Sequence, residues 1–256
     1  MYDYTKLLSE KVWRELLKTL PTPRQKRFGR KRCAKESLLN GILQVLVNGV
    51  AWKKIAVCGC SYASCFRYFQ EIQRRGKLKR IYQVLAREKT DITEGMIDTT
   101  TIDSFEFRYM TGWDGFKKKV GTKVSVFSDR KGLPADVAFG KGNIDDKKLL
   151  PEHMTHTRGI RKKVITLDMK YMSTPLRRSM RKKGIRINMK WRDQDFRRKR
   201  GPKFKLDNDL YRLRFVLERI NGWLKSFRAI RIRRNYHVAM FKALVYLALI
   251  IVLIRS

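Results

Sequence analysis

The sequence predicts an α/β protein in which a mixed sheet is covered by helices and preceded by a small all-α, helix-turn-helix-like domain. Three observations carry that reading. Apolar residues recur at helical spacing through the first third of the chain. From Gly95 the texture changes to β-rich segments at 96–102, 121–127 and 134–139, separated by turns such as Lys131-Gly132. Strand-like and helix-like segments then alternate, which requires parallel pairing and helical crossovers. The boundary falls near 89–94, giving a helical domain over 1–90 and a second domain over 95–256.

Ser9 can cap a first helix bearing Val12, Leu16, Leu17 and Leu20, which Pro21 and Pro23 stop. A basic arm, 24–32, follows. Leu38, Leu39, Ile42, Leu43, Leu46 and Val47 mark a second helix, with Gly49 as its terminator. A stretch through Trp52 and Ile55 and the turn Cys58-Gly59-Cys60 lead to Ser61, which can cap a third helix with Arg67 and Arg74 on its polar side. Helix, turn and basic helix fit a DNA-reading arrangement, and a plain three-helix support fits them as well. After the meander, 145–154 and 175–182 read as helices, and 164–167 and 185–189 as strands. The basic loop 196–205 contains Arg197, Arg198, Lys199 and Arg200, with Gly201-Pro202 breaking any helix. A long amphipathic helix capped by Asn208 or Asp209 follows, and a last apolar helix covers about 237–254.

Sixty Lys and Arg against 23 Asp and Glu leave a net charge of +37. Self-repulsion of that size opposes compaction, so a polyanionic partner is expected, nucleic acid first and an anionic membrane second. With 43% apolar residues the chain can still build a core, which excludes a disordered basic tail. The run 243–254 is shorter than a bilayer span needs, so it reads as buried structure and no membrane partner is expected. The four cysteines, Cys33, Cys58, Cys60 and Cys65, follow no zinc spacing and have no histidine nearby; they read as buried, reduced thiols of a cytoplasmic protein.

The chemistry concentrates in the penultimate helix. At about 100° per residue, Tyr211, Arg214, Glu218 and Lys225 share an arc of about 60°, while Leu213, Val216, Leu217, Ile220, Trp223, Leu224 and Phe227 form the opposite, buried side. A carboxylate flanked by cations is either a solvated face with an Arg214–Glu218 pair or half of a site. Asp98 and Asp168 favour the second. Asp98 sits inside the apolar strand 96–102, where a carboxylate is costly unless charge offsets its desolvation. Asp168 closes the strand 164–167, and ligands gather at carboxyl ends of strands. Three converging carboxylates make a hard, oxygen-rich cage that suits Mg²⁺ or Mn²⁺.

Taken together, Ile97-Asp98-Thr99-Thr100-Thr101, Gly121-Thr122-Lys123, Asp129-Arg130-Lys131-Gly132-Leu133-Pro134, Gly142-Asn143-x-x-Asp146 and Leu167-Asp168-x-x-Tyr171 resemble the successive motifs of DDE transposases of insertion sequences, of the IS-four/IS-five type. Tyr211-x2-Arg214-x3-Glu218-x6-Lys225 matches that family's Y-R-E-K signature at every spacing. One departure is Asp168-Met169-Lys170-Tyr171, where the family often has Asp-Lys-Gly-Tyr. The resemblance implies an RNase H-like catalytic domain with Asp98, Asp168 and Glu218 as catalytic metal ligands for two Mg²⁺ or Mn²⁺ ions. It implies cleavage at the element's terminal inverted repeats followed by strand transfer of the 3′-OH into target DNA, by a homodimer on double-stranded DNA in a prokaryotic cytoplasm, at the nucleoid. Tyr211, Arg214, Lys225 and Lys123, with Arg67, Arg74 and the 197–200 run, are the expected DNA contacts, and Trp113 and Trp191 could stack on an unpaired base. The alternatives are a nuclease or resolvase on the same fold, and a non-catalytic DNA-binding protein.

Overall fold

The computed structural model describes residues 8–25, 27–28, 31–105, 109–171, 173–190 and 206–256. The basic loop with Arg197, Arg198, Lys199 and Arg200, and Trp191 beside it, lie outside them. The chain divides into two compact units that do not follow the predicted boundary. One comprises 1–85, 102–109 and 223–256; the other comprises 86–101 and 110–222.

The second unit holds the sheet. Strand β1 (Glu94–Ser104) belongs to it up to residue 101, and β2 (Gly112–Asp114), β3 (Lys119–Ser128), β4 (Pro134–Lys141), β5 (Val164–Thr166) and β6 (Arg186–Asn188) lie wholly within it. Strand β3 lies beside β1 and pairs antiparallel with β2 at Lys119–Gly121 and with β4 along the rest. On the other side of β1 come β5 and then β6, both parallel. An antiparallel meander extended by parallel strands is the mixed, RNase H-like sheet, and the parallel pairs require the helices α5 (Leu150–His156) and α6 (Thr174–Lys182) as crossovers. Ile92, Ile97, Phe127, Leu150, Ile165, Leu167 and Tyr171 form the core beneath it, joined by Met180 of the second crossover helix. Gly142 needs to be glycine, because a Cβ there would stand 2.1 Å from the Gly112 carbonyl oxygen.

The first unit is helical: α1 (Glu10–Thr19), α2 (Lys35–Asn48), α3 (Tyr62–Arg74) and most of α4 (Lys77–Lys89) pack with the last helix, Val238–Arg255. Ser9 and Ser61 cap as expected, and Gly49 closes α2 in the left-handed region at φ 67°. Helix α4 is an addition to the predicted elements; Leu78, Tyr82 and Ala86 give it a buried stripe, and Tyr82 stacks on Tyr246 with centroids 5.7 Å apart. The last helix meets the length and hydropathy of a membrane span, yet most of it is buried inside the protein. Being apolar on every side, it needs neighbours all round. Helices supply them, which groups 223–256 with the N-terminal segment instead of with the sheet.

The predicted long helix is interrupted. It runs Asn208–Arg212 (α7), turns through Leu213 and Arg214, and resumes as α8, Phe215–Ser226. The amides of Arg214, Val216 and Leu217 each bond to the carbonyl three residues back, the tightened 3₁₀ pattern. The sequence alone favours helix here, so a tertiary contact of Arg214 overrides propensity. Its cap is Asp207, not Asn208 or Asp209: Asn188 of β6 fixes the Asp207 backbone through bonds to its N–H and carbonyl, both 2.9 Å, which sets where the helix begins. Trp223, expected on the buried side, is 39% exposed.

Candidate active site

All three predicted acids lie in the sheet-bearing unit. β1 and β5 pair with Glu94 opposite Val164, Gly95 opposite Ile165 and Met96 opposite Thr166. The last of these pairs leaves Asp98 two residues further along β1, while β5 ends at Thr166 and Asp168 lies two residues past that end, where the chain enters the turn Met169–Tyr171. Helix α8 closes over them. Asn221 Nδ2 donates to Asp98 Oδ2 at 3.0 Å, and Arg214 Nη1 lies 3.4 Å from Asp168 Oδ1. Glu218 stands between these two contacts, about one turn from each, with its side chain exposed. The Arg214–Asp168 contact is the one that wins over helix continuity. Arg214 also donates to the Tyr211 hydroxyl at 3.0 Å and lies over its ring, so the aromatic holds the guanidinium in place.

The desolvation cost foreseen for Asp98 is met by a residue that had no role in the sequence reading. Lys170 Nζ lies 3.4 Å from Asp98 Oδ1 and 3.0 Å from Asp146 Oδ2. Burial pushes the Lys170 ammonium toward neutrality, but the charges of Asp98 and Asp146 outweigh it and hold its pKa above the ordinary lysine value. Asp146 is also bound by Lys123, 2.9 Å away in a pair whose side chains are both nearly buried, and Lys123 donates to the Ile144 carbonyl. Lys123 is thus an internal counter-charge here, not an exposed DNA contact. The signal for Lys170 was its place beside Asp168; the signal for Asp146 was the Gly142-Asn143-x-x-Asp146 motif. Nothing local marked Asn221, since its role depends on which strand the helix covers.

Asp98 on β1 and Asp168 just past the end of β5 offer hard oxygen donors. Beside them the buried Asn221 Oδ1 has no hydrogen-bond partner. This donor chemistry fits a divalent ion. As the side chains stand, however, no three His, Cys, Asp or Glu groups among the described residues are close enough to hold one. Lys170 and Arg214 rest against Asp98 and Asp168, and Glu218 is exposed.

A second polar cluster lies in the same unit. His153 Nδ1 is 2.6 Å from Asp136 Oδ2, and its Nε2 is 2.9 Å from Ser125 Oγ. His156 lies 3.2 Å from both Asp136 oxygens. The order Ser, His, Asp is that of a nucleophilic triad, but Ser125 and His153 are 0% exposed, so no substrate reaches the hydroxyl. Burial raises the Asp136 pKa, and the hydrogen bonds from the two histidines more than reverse this, leaving it below the ordinary aspartate value. The row is structural, tying β3 and β4 to helix 150–156.

The remaining predicted contacts are dispersed. Arg67 and Arg74 are exposed on α3 in the helical unit, and Lys225 is exposed on the last turn of α8. Trp113 is exposed on β2. The loop joining α2 to α3 runs from Gly49 to Ser61, far longer than the tight turn of a helix-turn-helix. A cavity of about 800 Å³ in the helical unit is lined by Arg32, Cys33, Cys60, Arg67 and Tyr68 and contains none of the three acids. All four cysteines are free thiols; only Cys65 is buried, Cys33 and Cys60 are half-buried and Cys58 is exposed, which corrects the expectation of uniformly buried thiols for three of them.

With this geometry in hand, comparison with known families is decisive. A model described as the transposase DDE domain matches residues 89–253. The chain belongs to the transposase DDE domain family. A second model, for transposases of the IS4/5 family, matches residues 8–82. A relative from Burkholderia cepacia, the insertion element IS402 uncharacterized 16.2 kDa protein, is 28% identical over 106 residues, covering 38% of this chain and 72% of the relative. Among solved structures, the piggyBac transposase in a synaptic complex with hairpin DNA matches at a TM-score of 0.39 and 14% identity; the match covers 79% of this chain and only 55% of that one. Family membership implies the use of divalent metal generally, in keeping with the donor chemistry at Asp98 and Asp168.

Proposed function

We propose that this DDE transposase cuts DNA at the ends of an insertion element and transfers the freed 3′-OH to target DNA. Asp98, Asp168 and Glu218 are the groups that hold Mg²⁺ or Mn²⁺, two ions per site. The observation that carries the reading is that one stretch of the penultimate helical segment reaches both aspartates, Arg214 at Asp168 and Asn221 at Asp98, on either side of Glu218. The bound metal supplies Lewis-acid relief of charge on the phosphoryl group. The protein's own groups supply the positioning. Arg214, pre-aligned by Tyr211, suits a bidentate hold on a phosphate next to the scissile one. Lys225, together with Arg197, Arg198, Lys199 and Arg200, extends the grip on the backbone, and Arg67 and Arg74 carry the N-terminal helices onto DNA.

Two displacements follow in one site. Water oxygen attacks phosphorus and the 3′-oxygen departs, taking a proton to become a hydroxyl. That hydroxyl then attacks a target phosphodiester, forming a new P–O bond while the bond to the target's own 3′-oxygen breaks, and that oxygen leaves with the proton the attacking hydroxyl gives up. Joining two ends requires two such sites, so the working form is a homodimer on double-stranded DNA. The test is product analysis with Mg²⁺: a labelled 3′-OH element end and a supercoiled plasmid. Covalent joining of label to plasmid is expected, and its loss in Asp98→Asn and Asp168→Asn. Nicks without joining would reassign the protein as a nuclease of the same fold. Activity retained in both variants would remove the carboxylates from the chemistry.

A further inference from the structure

We infer that Lys170 is a displaceable counter-ion of the acid site, paired with Asp98 and Asp146 while the site holds no divalent ion and released to a DNA phosphate when one enters. This rests on the metal-binding reading of Asp98. The argument is one of charge and reach. Six charged groups meet here in balance: Asp98, Asp146 and Asp168 against Lys123, Lys170 and Arg214. Lys123 and Asp146 form the fixed pair, with side-chain exposures of 12% and 11%. Lys170 is at 39% exposure on a flexible stem, and its contact with Asp98, at 20%, is the longer of its two.

Asp146 therefore keeps a cation when Lys170 leaves, whereas among the described residues the Asp98 carboxylate keeps the Asn221 amide alone. A compact ammonium and a divalent ion compete for the same carboxylate oxygens, so one must give way. With Lys170 gone and Glu218 joining the acids, a first divalent ion balances the cluster and a second leaves it with positive excess, which a phosphate neutralises. Metal loading and DNA binding are thereby coupled in the favourable direction, and Lys170 carries part of that coupling.

The full-length protein is titrated with Mn²⁺ alone, read by electron paramagnetic resonance, in wild type, Lys170→Gln, Lys170→Arg and Asp98→Asn. Lys170→Gln is expected to bind Mn²⁺ on the order of tenfold more tightly, the scale of one charge-assisted contact, while Lys170→Arg stays near wild type. A second titration measures duplex DNA affinity without metal and with Ca²⁺. The gain on adding Ca²⁺ is expected to be several-fold smaller in Lys170→Gln. Mn²⁺ affinity unchanged or weakened in Lys170→Gln, with Asp98→Asn binding poorly, overturns the counter-ion role and leaves the catalytic reading standing. Asp98→Asn binding Mn²⁺ as tightly as wild type overturns both.

Discussion

Two clusters built from the same kinds of side chain sit in the sheet-bearing unit, and they behave oppositely. Around Asp136 every charge is met by a neighbour on a fixed element, and water is excluded. Around Asp98 and Asp168 the cations are half-exposed, and one of them, Lys170, sits on a flexible stem that can leave. The Ser125–His153–Asp136 row has the spacing of a hydrolytic triad and no access, whereas the open cluster has no such ready geometry yet holds acids whose partners are exchangeable. Access and exchangeable partners, more than short distances, mark the chemical site.

The contrast is sharpest in the acid the helix presents. Glu218→Gln is expected to lower DNA cleavage by about 10³-fold or more, since members of a catalytic set fail together, with thermal unfolding unchanged. A retained rate in a gel-based cleavage assay would break the comparison on its open side. His153→Ala is expected to do the reverse, losing about 2–3 kcal/mol of stability in urea titration by leaving buried partners unmet, while the folded fraction keeps its specific activity. If Ser125→Ala abolished cleavage in a fully stable protein, the sealed row would have to be chemical after all.

Acidity sharpens the same contrast. Because the folded pKa of Asp136 is depressed, its contribution is complete above the unfolded value of about 3.9 and is lost as pH falls through the lower folded value. Wild type is therefore expected to lose stability below about pH 4 more steeply than Asp136→Asn, as followed by circular dichroism. The smallest expected effect lies on the rim of the open cluster. Lys225→Gln should reduce the slope of log K against log salt for duplex DNA by about 1 and leave unfolding alone. An unchanged slope would take Lys225 off the phosphate backbone.

Much of this was legible before any coordinates. The caps at Ser9 and Ser61, the stop at Gly49, the meander and the two crossover helices follow from local periodicity and backbone preference, which act over a few residues. Asp98 and Asp168 stood out because a carboxylate within or closing an apolar strand demands compensation. By contrast, the turn at Leu213–Arg214, the cap at Asp207 and the burial of Lys123 each depend on a partner distant in sequence.

The sequence by itself determined the mixed sheet behind a helical segment and the strongly basic composition, and it singled out the three acids proposed for the site, because period, charge and spacing are properties of neighbouring residues. Only the tertiary structure decided which cation rests on which acid, that a tempting Ser-His-Asp row is sealed, and that the last helix joins the first. Those outcomes turn on long-range contacts whose energies depend on burial, and burial is fixed only when the chain has closed on itself.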